Sequence, residues 1–291
     1  MIQVGRGTRR FGMSRRRFAK RFVVEMLEQR ELLAVFTVLN TSDNTSTGSL
    51  RWAIQQANSD KDPASLINFA IPGTGLQTIT PQSALPAITH PTAIDGSTQS
   101  GYSGSPLIEL DCLALSRSDT GLLITAGNST LRALAVDDCA AAAIELSSSG
   151  SDVIAGCYVG TTPDGSLAKS NDLGILISGS SNNTIGGTGP HDRNLISGNA
   201  TDGISIVSSS NNLIIGNEIG TDITGKYAVS NRNDGIEVTS SSGTTIGGTS
   251  AGTGNLISGN TLNGIALDAI PGGSNTSGTL IEGNFIGVDA T

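Results

Sequence analysis

From residue 121 onward the chain repeats one short pattern: a small residue, an aliphatic, any residue, an aliphatic. It stands at Gly121-Leu122-Leu123-Ile124, Ala143-Ile144-Glu145-Leu146, Gly174-Ile175-Leu176-Ile177, Gly203-Ile204-Ser205-Ile206, Gly235-Ile236-Glu237-Val238 and Gly264-Ile265-Ala266-Leu267. Alternation of this kind places the two aliphatics on one face of a strand and the middle residue on the other. Two more short aliphatic pieces follow in most coils, such as Thr184-Ile185 and Leu195-Ile196, separated by Gly, Asn and Ser. The pattern predicts about three short strands per coil of roughly thirty residues. Strands so short are not stable alone. Stacked coil on coil, each pairs with its equivalent at about 4.8 Å, and Ile, Leu and Val line up in columns.

A longer period runs through the same region. Asn194-Leu195-Ile196-Ser197-Gly198-Asn199 recurs identically as Asn255 to Asn260, and Thr184 to Thr188 recurs as Thr245 to Thr249. Internal repetition of this kind signals a solenoid, and parallel crossovers favour the right hand. The predicted fold is therefore all-β, a right-handed parallel β-helix. Cys139, Ser170, Asn199, Asn231 and Asn260 stand four residues before the small residue of their strands, where a turn residue tolerant of positive φ is needed. Ser49 to Asn58 reads as a helix with Leu50, Ala53, Ile54 and Ala57 on one face, the cap that a solenoid needs over its first coil. The expected division is a basic leader over 1–35, a cap with the first coils over 36–120, and repeats over 121–291. Ile286 to Thr291 aligns with Ile219 to Thr224 and stops in mid-coil, so we expect the remainder of a longer polypeptide to follow.

Composition narrows the picture. Only 3% of residues are aromatic, and 38 of 291 are Gly, which suits a narrow core of small aliphatics. Nine of the 17 basic residues lie in the first thirty positions, against Glu25 and Glu28 alone; the rest carries 8 basic and 23 acidic residues, a net of −15. An acidic body argues against nucleic acid as a partner, and the basic head reads as an export leader. Within it, Ser14-Arg15-Arg16-Arg17-Phe18-Ala19-Lys20 resembles a twin-arginine export motif. Glu25, Glu28, Arg30 and Glu31 interrupt the apolar run that should follow, and the same charges exclude a transmembrane helix. Leu27 to Ala34 resembles the LEPR-x-LL motif of large exported bacterial surface proteins, with Gln29 in place of its Pro.

On these motifs residues 36–291 resemble bacterial right-handed parallel β-helix repeat proteins of the pectate-lyase-like superfamily. Phe36 to Thr41, Gly48 to Ile54, Leu85 to Ile88 and Ile94-Asp95-Gly96 resemble the usual entry to such domains. The resemblance implies export and a cell-surface or extracellular location. It implies activity only weakly, because the fold carries lyases, hydrolases, epimerases, adhesins and inert stalks.

Candidate chemistry is sparse. Acid catalysis on sugars needs two carboxylates across a cleft, and Asp137-Asp138 is the only adjacent acidic pair. Neighbours on a strand point to opposite faces, so the pair reads as a solvated turn. Pro190-His191-Asp192-Arg193 offers a base and a cation and resembles part of the PHD-type motif of alginate epimerases, but its equivalent is Ala251-Gly252-Thr253-Gly254. Asp164, Asp222 and Asp289 follow Gly-containing strands and are candidates for Ca²⁺ or for closing their own turns. Tyr158 and Tyr227 are candidate glycan contacts beside turns. Cys112, Cys139 and Cys157 read as small packing residues, one disulfide being the alternative, and no zinc set is apparent. The expected function is a non-enzymatic structural or binding rod for polysaccharide or cell-envelope components, with no obligatory cofactor. The alternative is a polysaccharide lyase, hydrolase or epimerase, which a carboxylate or Arg cluster on one face would favour; none is visible in the sequence.

Overall fold

A computed structural model describes residues 33–269 and 275–289; most of the leader, including the twin-arginine-like run, lies outside them. The chain from residue 34 winds into three parallel sheets of nine, eight and six strands, each strand within a sheet paired with its equivalents in the coils before and after and each end strand with one neighbour. The first sheet runs from Ala34–Val38 to Leu280–Glu282, the second from Gln77–Ile79 to Phe285–Ile286, the third from Leu122–Ile124 to Ile265–Asp268. This is the expected right-handed parallel β-helix.

The alternation seen in the sequence sets the core. Ile144, Ile175, Ile204 and Ile236 are register partners in succession and are fully buried. Ile265 extends the column but is only partly buried, because its strand is the last of the third sheet. The 61-residue period is two coils: Leu195-Ile196 pairs with Glu218-Ile219, which pairs with Leu256-Ile257. Coils alternate because one of each pair carries a long loop after the second sheet. The loops at 161–170 and 221–230 are each closed by an antiparallel bridge, Thr161 to Ala168 and Thr221 to Ala228.

Buried side-chain amides stitch the turns together. After the second sheet, Asn171 donates to Asn199, Asn199 to Asn231 and Asn231 to Asn260, at 2.8–3.0 Å. The rung is Asn171, not the Ser170 that the four-residue spacing suggested, since that coil has a different turn length. Between the first and second sheets, Asn194, Asn217, Asn255 and Asn284 form a second ladder at 2.8–2.9 Å. Each amide also donates to a backbone carbonyl of the neighbouring coil, as Asn194 does to Ile154 and Asn217 to Ile185. Asn199→Ala would strand Asn171 and Asn231 in a dry turn, so its unfolding free energy should fall by about 2–3 kcal/mol, read by denaturant titration.

The predicted cap is present as Leu50–Ser59. The Ser49 hydroxyl accepts from the Trp52 N–H at 3.1 Å, a side-chain N-cap. Leu50, Ala53, Ile54 and Ala57 are buried against the first two strands of the first sheet, and Trp52 meets Phe36 edge-on with ring centroids 6.1 Å apart. Among the described residues no helix is long and apolar enough to cross a membrane.

Candidate functional site

The outward side of the second sheet gathers the polar chemistry. Ile108–Asp111 and Leu134–Asp137 are adjacent strands there, with Glu109 opposite Ala135 and Asp111 opposite Asp137. Because Glu109 and Asp111 are two apart, their side chains share a face. The chain leaves the second strand through Asp138, whose φ of 54° is left-handed. That twist turns Asp138 toward the same place as Asp137. The two do not diverge as a continuing strand would make them, and the expectation of a solvated pair on opposite faces fails for this reason.

Lys169 reaches into this group from the loop at 161–170. Its Nζ lies 3.0 Å from Glu109 Oε1, 3.1 Å from Asp111 Oδ2, 2.8 Å from Asp137 Oδ1 and 3.4 Å from Asp138 Oδ2. The loop is held at its root by the Lys169 N–H, which donates to Gly160 O at 2.8 Å. Gly160 has φ +88°, and a Cβ there would come within 2.4 Å of Ser197 O, so only glycine lets the loop leave the strand. Burial pushes the Asp137 carboxyl up to about 8, with Lys169 opposing the rise and Glu109 and Asp111 adding to it. Burial works against the Lys169 ammonium, but the Asp137 and Glu109 carboxylates outweigh it and its pKa rises. Asp138 opens into a recess of about 380 Å³ whose rim includes Arg117, Asp172 and Arg232.

Among the described residues this cluster occurs once. In the second loop the place of Lys169 is taken by Val229, whose N–H bonds Gly220 O as that of Lys169 bonds Gly160 O. By strand register Ser197 and Gly160 stand there where Asp137 and Asp111 stand in the first copy. The loop therefore folds without the charges. The carboxylate cluster that the sequence did not reveal is present, and its one legible trace was the Asp-Cys dipeptide shared by Asp111-Cys112 and Asp138-Cys139.

Those cysteines are joined. Cys112 and Cys139 form a buried disulfide with Cα atoms 4.6 Å apart, correcting their reading as packing residues. Cys139 sits at the head of the Asn171 ladder, its N–H bonded to Asn171 Oδ1 at 3.0 Å, so the disulfide acts as a covalent rung. Cys157 is free and fully buried; burial pushes its thiol up to about 12, which leaves it inert.

The other candidate residues are dispersed. Asp192 pairs with Arg132 at 2.7 Å and accepts from the Gly189 N–H. Arg193 pairs with the buried Glu218, whose carboxyl burial raises against the pull of Arg193. The exposed His191 ring lies edge-on to Tyr102. The three neighbours are thus spent on three different partners. Tyr158 lies in a strand of the second sheet, buried with Ala135 and Leu195, its hydroxyl 3.4 Å from Ser105 Oγ; its ring is not open to a glycan. Tyr227 is 72% exposed.

Asp164 accepts from the Thr162 and Ser166 hydroxyls, which hold its carboxyl below the usual range. Asp222 accepts from Thr224 Oγ1 and from the Lys226 and Tyr227 N–H groups, and these outweigh burial to lower its pKa. Both close their own turns. Asp289 is exposed beyond Ile286, two coils from the level of Asp222. A coil at about 4.8 Å spacing intervenes each way, so these three do not converge on one ion.

The family described as Right handed beta helix region matches residues 94–250, more than half of the chain. No curated protein matches. Among solved structures, an alginate lyase from Paenibacillus sp. str. FPU-7 is similar over 86% of this chain and 98% of that one, at 16% identity and a TM-score of 0.43.

Proposed function

From a chain that belongs to the right handed beta helix family, we propose an exported, non-enzymatic rod of a bacterial cell-surface protein that binds polysaccharide or other envelope components along its second sheet. The observation that carries this reading is the pairing of charge. Arg132 is held by Asp192, Arg193 by Glu218, and Lys169 by four carboxylates. A lyase needs a cation free to neutralise a uronate carboxylate and a base poised beside it; Arg132, Arg193 and Lys169 are already engaged, and Arg117 and Arg232 stand apart from them on the rim of the recess beside Asp138. The Cys112–Cys139 disulfide supports export, because such bonds persist in oxidising compartments. Tyr227, open on its loop, provides a stacking surface for a sugar ring.

One observation favours the polysaccharide lyase, hydrolase or epimerase reading. The ligand atoms of Asp111, Asp137 and Asp138 lie within 4.8 Å of one another, close to the roughly 5 Å separation of a retaining glycosidase pair. A single experiment separates the readings. The full chain, incubated with alginate, pectin and related polysaccharides, should retain polymer without shortening or epimerising it, and Tyr227→Ala should weaken retention several-fold. Turnover that disappears in Asp138→Asn or in His191→Ala would replace the rod with an enzyme.

A further inference from the structure

We propose that the Cys112–Cys139 disulfide is a redox latch: it ties the first coils to the repeats once the chain meets an oxidising disulfide, and stacking then seals it from reductants. The proposal takes from the preceding reading only that the chain is exported to where such oxidants act. The two sulfurs stand in the place of a ladder rung. A Cβ on Gly174, Gly203 or Gly235 would come within 2.7–2.9 Å of the side-chain amide of Asn199, Asn231 or Asn260. A Cβ on Gly121, the first glycine of that series, would come within 2.8 Å of Cys139 Sγ and 3.0 Å of Cys112 Sγ.

The bond stands in for an amide hydrogen bond. From Asn171 onward each coil is tied to the next at this turn by one side-chain amide, at 2.8–3.0 Å. Cys139 joins that ladder through its backbone N–H, which donates to Asn171 Oδ1, and a thiol is only a weak donor and acceptor. Reduced, the coils of Cys112 and Cys139 lose their tie at this position. Charge acts the same way. Asp111 and Asp138 each directly precede a cysteine, and with Asp137 they bring oxygens within 4.8 Å of one another around the single Lys169 ammonium. Like charges so placed push the two coils apart, and the disulfide opposes them from the adjoining residues.

Closure is a thiol–disulfide exchange. One cysteine thiolate attacks the S–S bond of a glutathione-type disulfide and expels one glutathione thiolate. The other cysteine thiolate attacks the resulting mixed disulfide and expels the second. The cysteines give up two electrons and two protons, which leave on two glutathione thiols. Once the coils are stacked, Cys112 and Cys139 are each 1% exposed, so a reductant reaches the sulfurs only when the turn opens. Cys157 lies at a different turn, between Val153–Ala155 and Tyr158–Val159, and stays a thiol.

The test is amide exchange on the purified full chain oxidised with glutathione disulfide, compared with the double variant Cys112→Ser/Cys139→Ser, so that neither export nor polymer binding enters it. The serine pair should exchange roughly a hundredfold faster across Ile108–Asp111 and Leu134–Asp137, while Ile204–Val207 keeps its rate. Cys112→Asn/Cys139→Asn, which puts an amide rung where the bond was, should fold and should exchange more slowly over the same strands than the serine pair. A second readout is accessibility. The folded, oxidised chain, held in dithiothreitol and then quenched, denatured and alkylated, should show one reactive thiol, that of Cys157; denatured before reduction, it should show all three cysteines. Equal protection in the oxidised chain and the serine pair, an asparagine pair no better than the serine pair, or three reactive thiols from the folded chain would each overturn the latch.

Discussion

Raising the pH from about 5 to 8 in a chelating buffer should destabilise the protein, and Asp137→Asn should abolish that part of the loss. Burial lifts the folded-state carboxyl of Asp137 to about 8, against a value near 4 in the unfolded chain. Between those limits the folded state holds a proton that the unfolded state has released, so stability falls as pH rises. The slope attributable to one such group is roughly 1.4 kcal/mol per pH unit, which makes this the largest effect expected of any single side chain here. Asparagine imitates the protonated acid in size and charge, so its curve should be flatter and should cross above wild type near neutral pH. Denaturant unfolding at several pH values measures both curves. A difference between them that stays constant from pH 5 to 8 would mean that Lys169 keeps Asp137 ionised in the folded state. The raised pKa of Lys169 acts only above the ordinary lysine range and leaves this window untouched.

Ile204→Ala should cost about 2–5 kcal/mol, the range for emptying a buried aliphatic side chain. Ile204 has no exposure and lies midway in the column from Ile144 to Ile236, with Ile175 and Ile236 as its register partners. The inward side chains are held by strands of only a few residues, so neighbouring coils cannot collapse into the gap without losing their backbone pairing. Because each coil leans on the next, the variant should also speed amide exchange in Ile175–Ile177 and Ile236–Val238. Ile265→Ala, at the half-buried end of the same column, should cost less. Equal costs at both positions would contradict a core that thins toward the last coil.

The coil period, the three strands per coil, the inward Ile columns and the capping helix were all legible in the sequence. Each follows from local rules: alternation fixes which side chains face in, repetition fixes what pairs with what, and Ser49 with the Leu50, Ala53, Ile54, Ala57 face fixes the helix. Turn residues were readable as a class but not always by position, since Asn171 rather than Ser170 became the rung once one coil took a different turn length.

The chemistry depended on the fold. Asp111 and Lys169 are 58 residues apart, yet their side chains meet at 3.1 Å, because the first strands of the second sheet precede the regular repeat and their register with Leu134–Asp137 could not be counted from it. Asp138 joins the cluster through one left-handed backbone angle, and the Cys112–Cys139 bond forms because that same turn brings the two thiols to one rung of the ladder. A periodic sequence determines what it repeats. The site is built from what does not repeat, a strand exit, a loop lysine and a cysteine pair, and only stacking the coils brings those together.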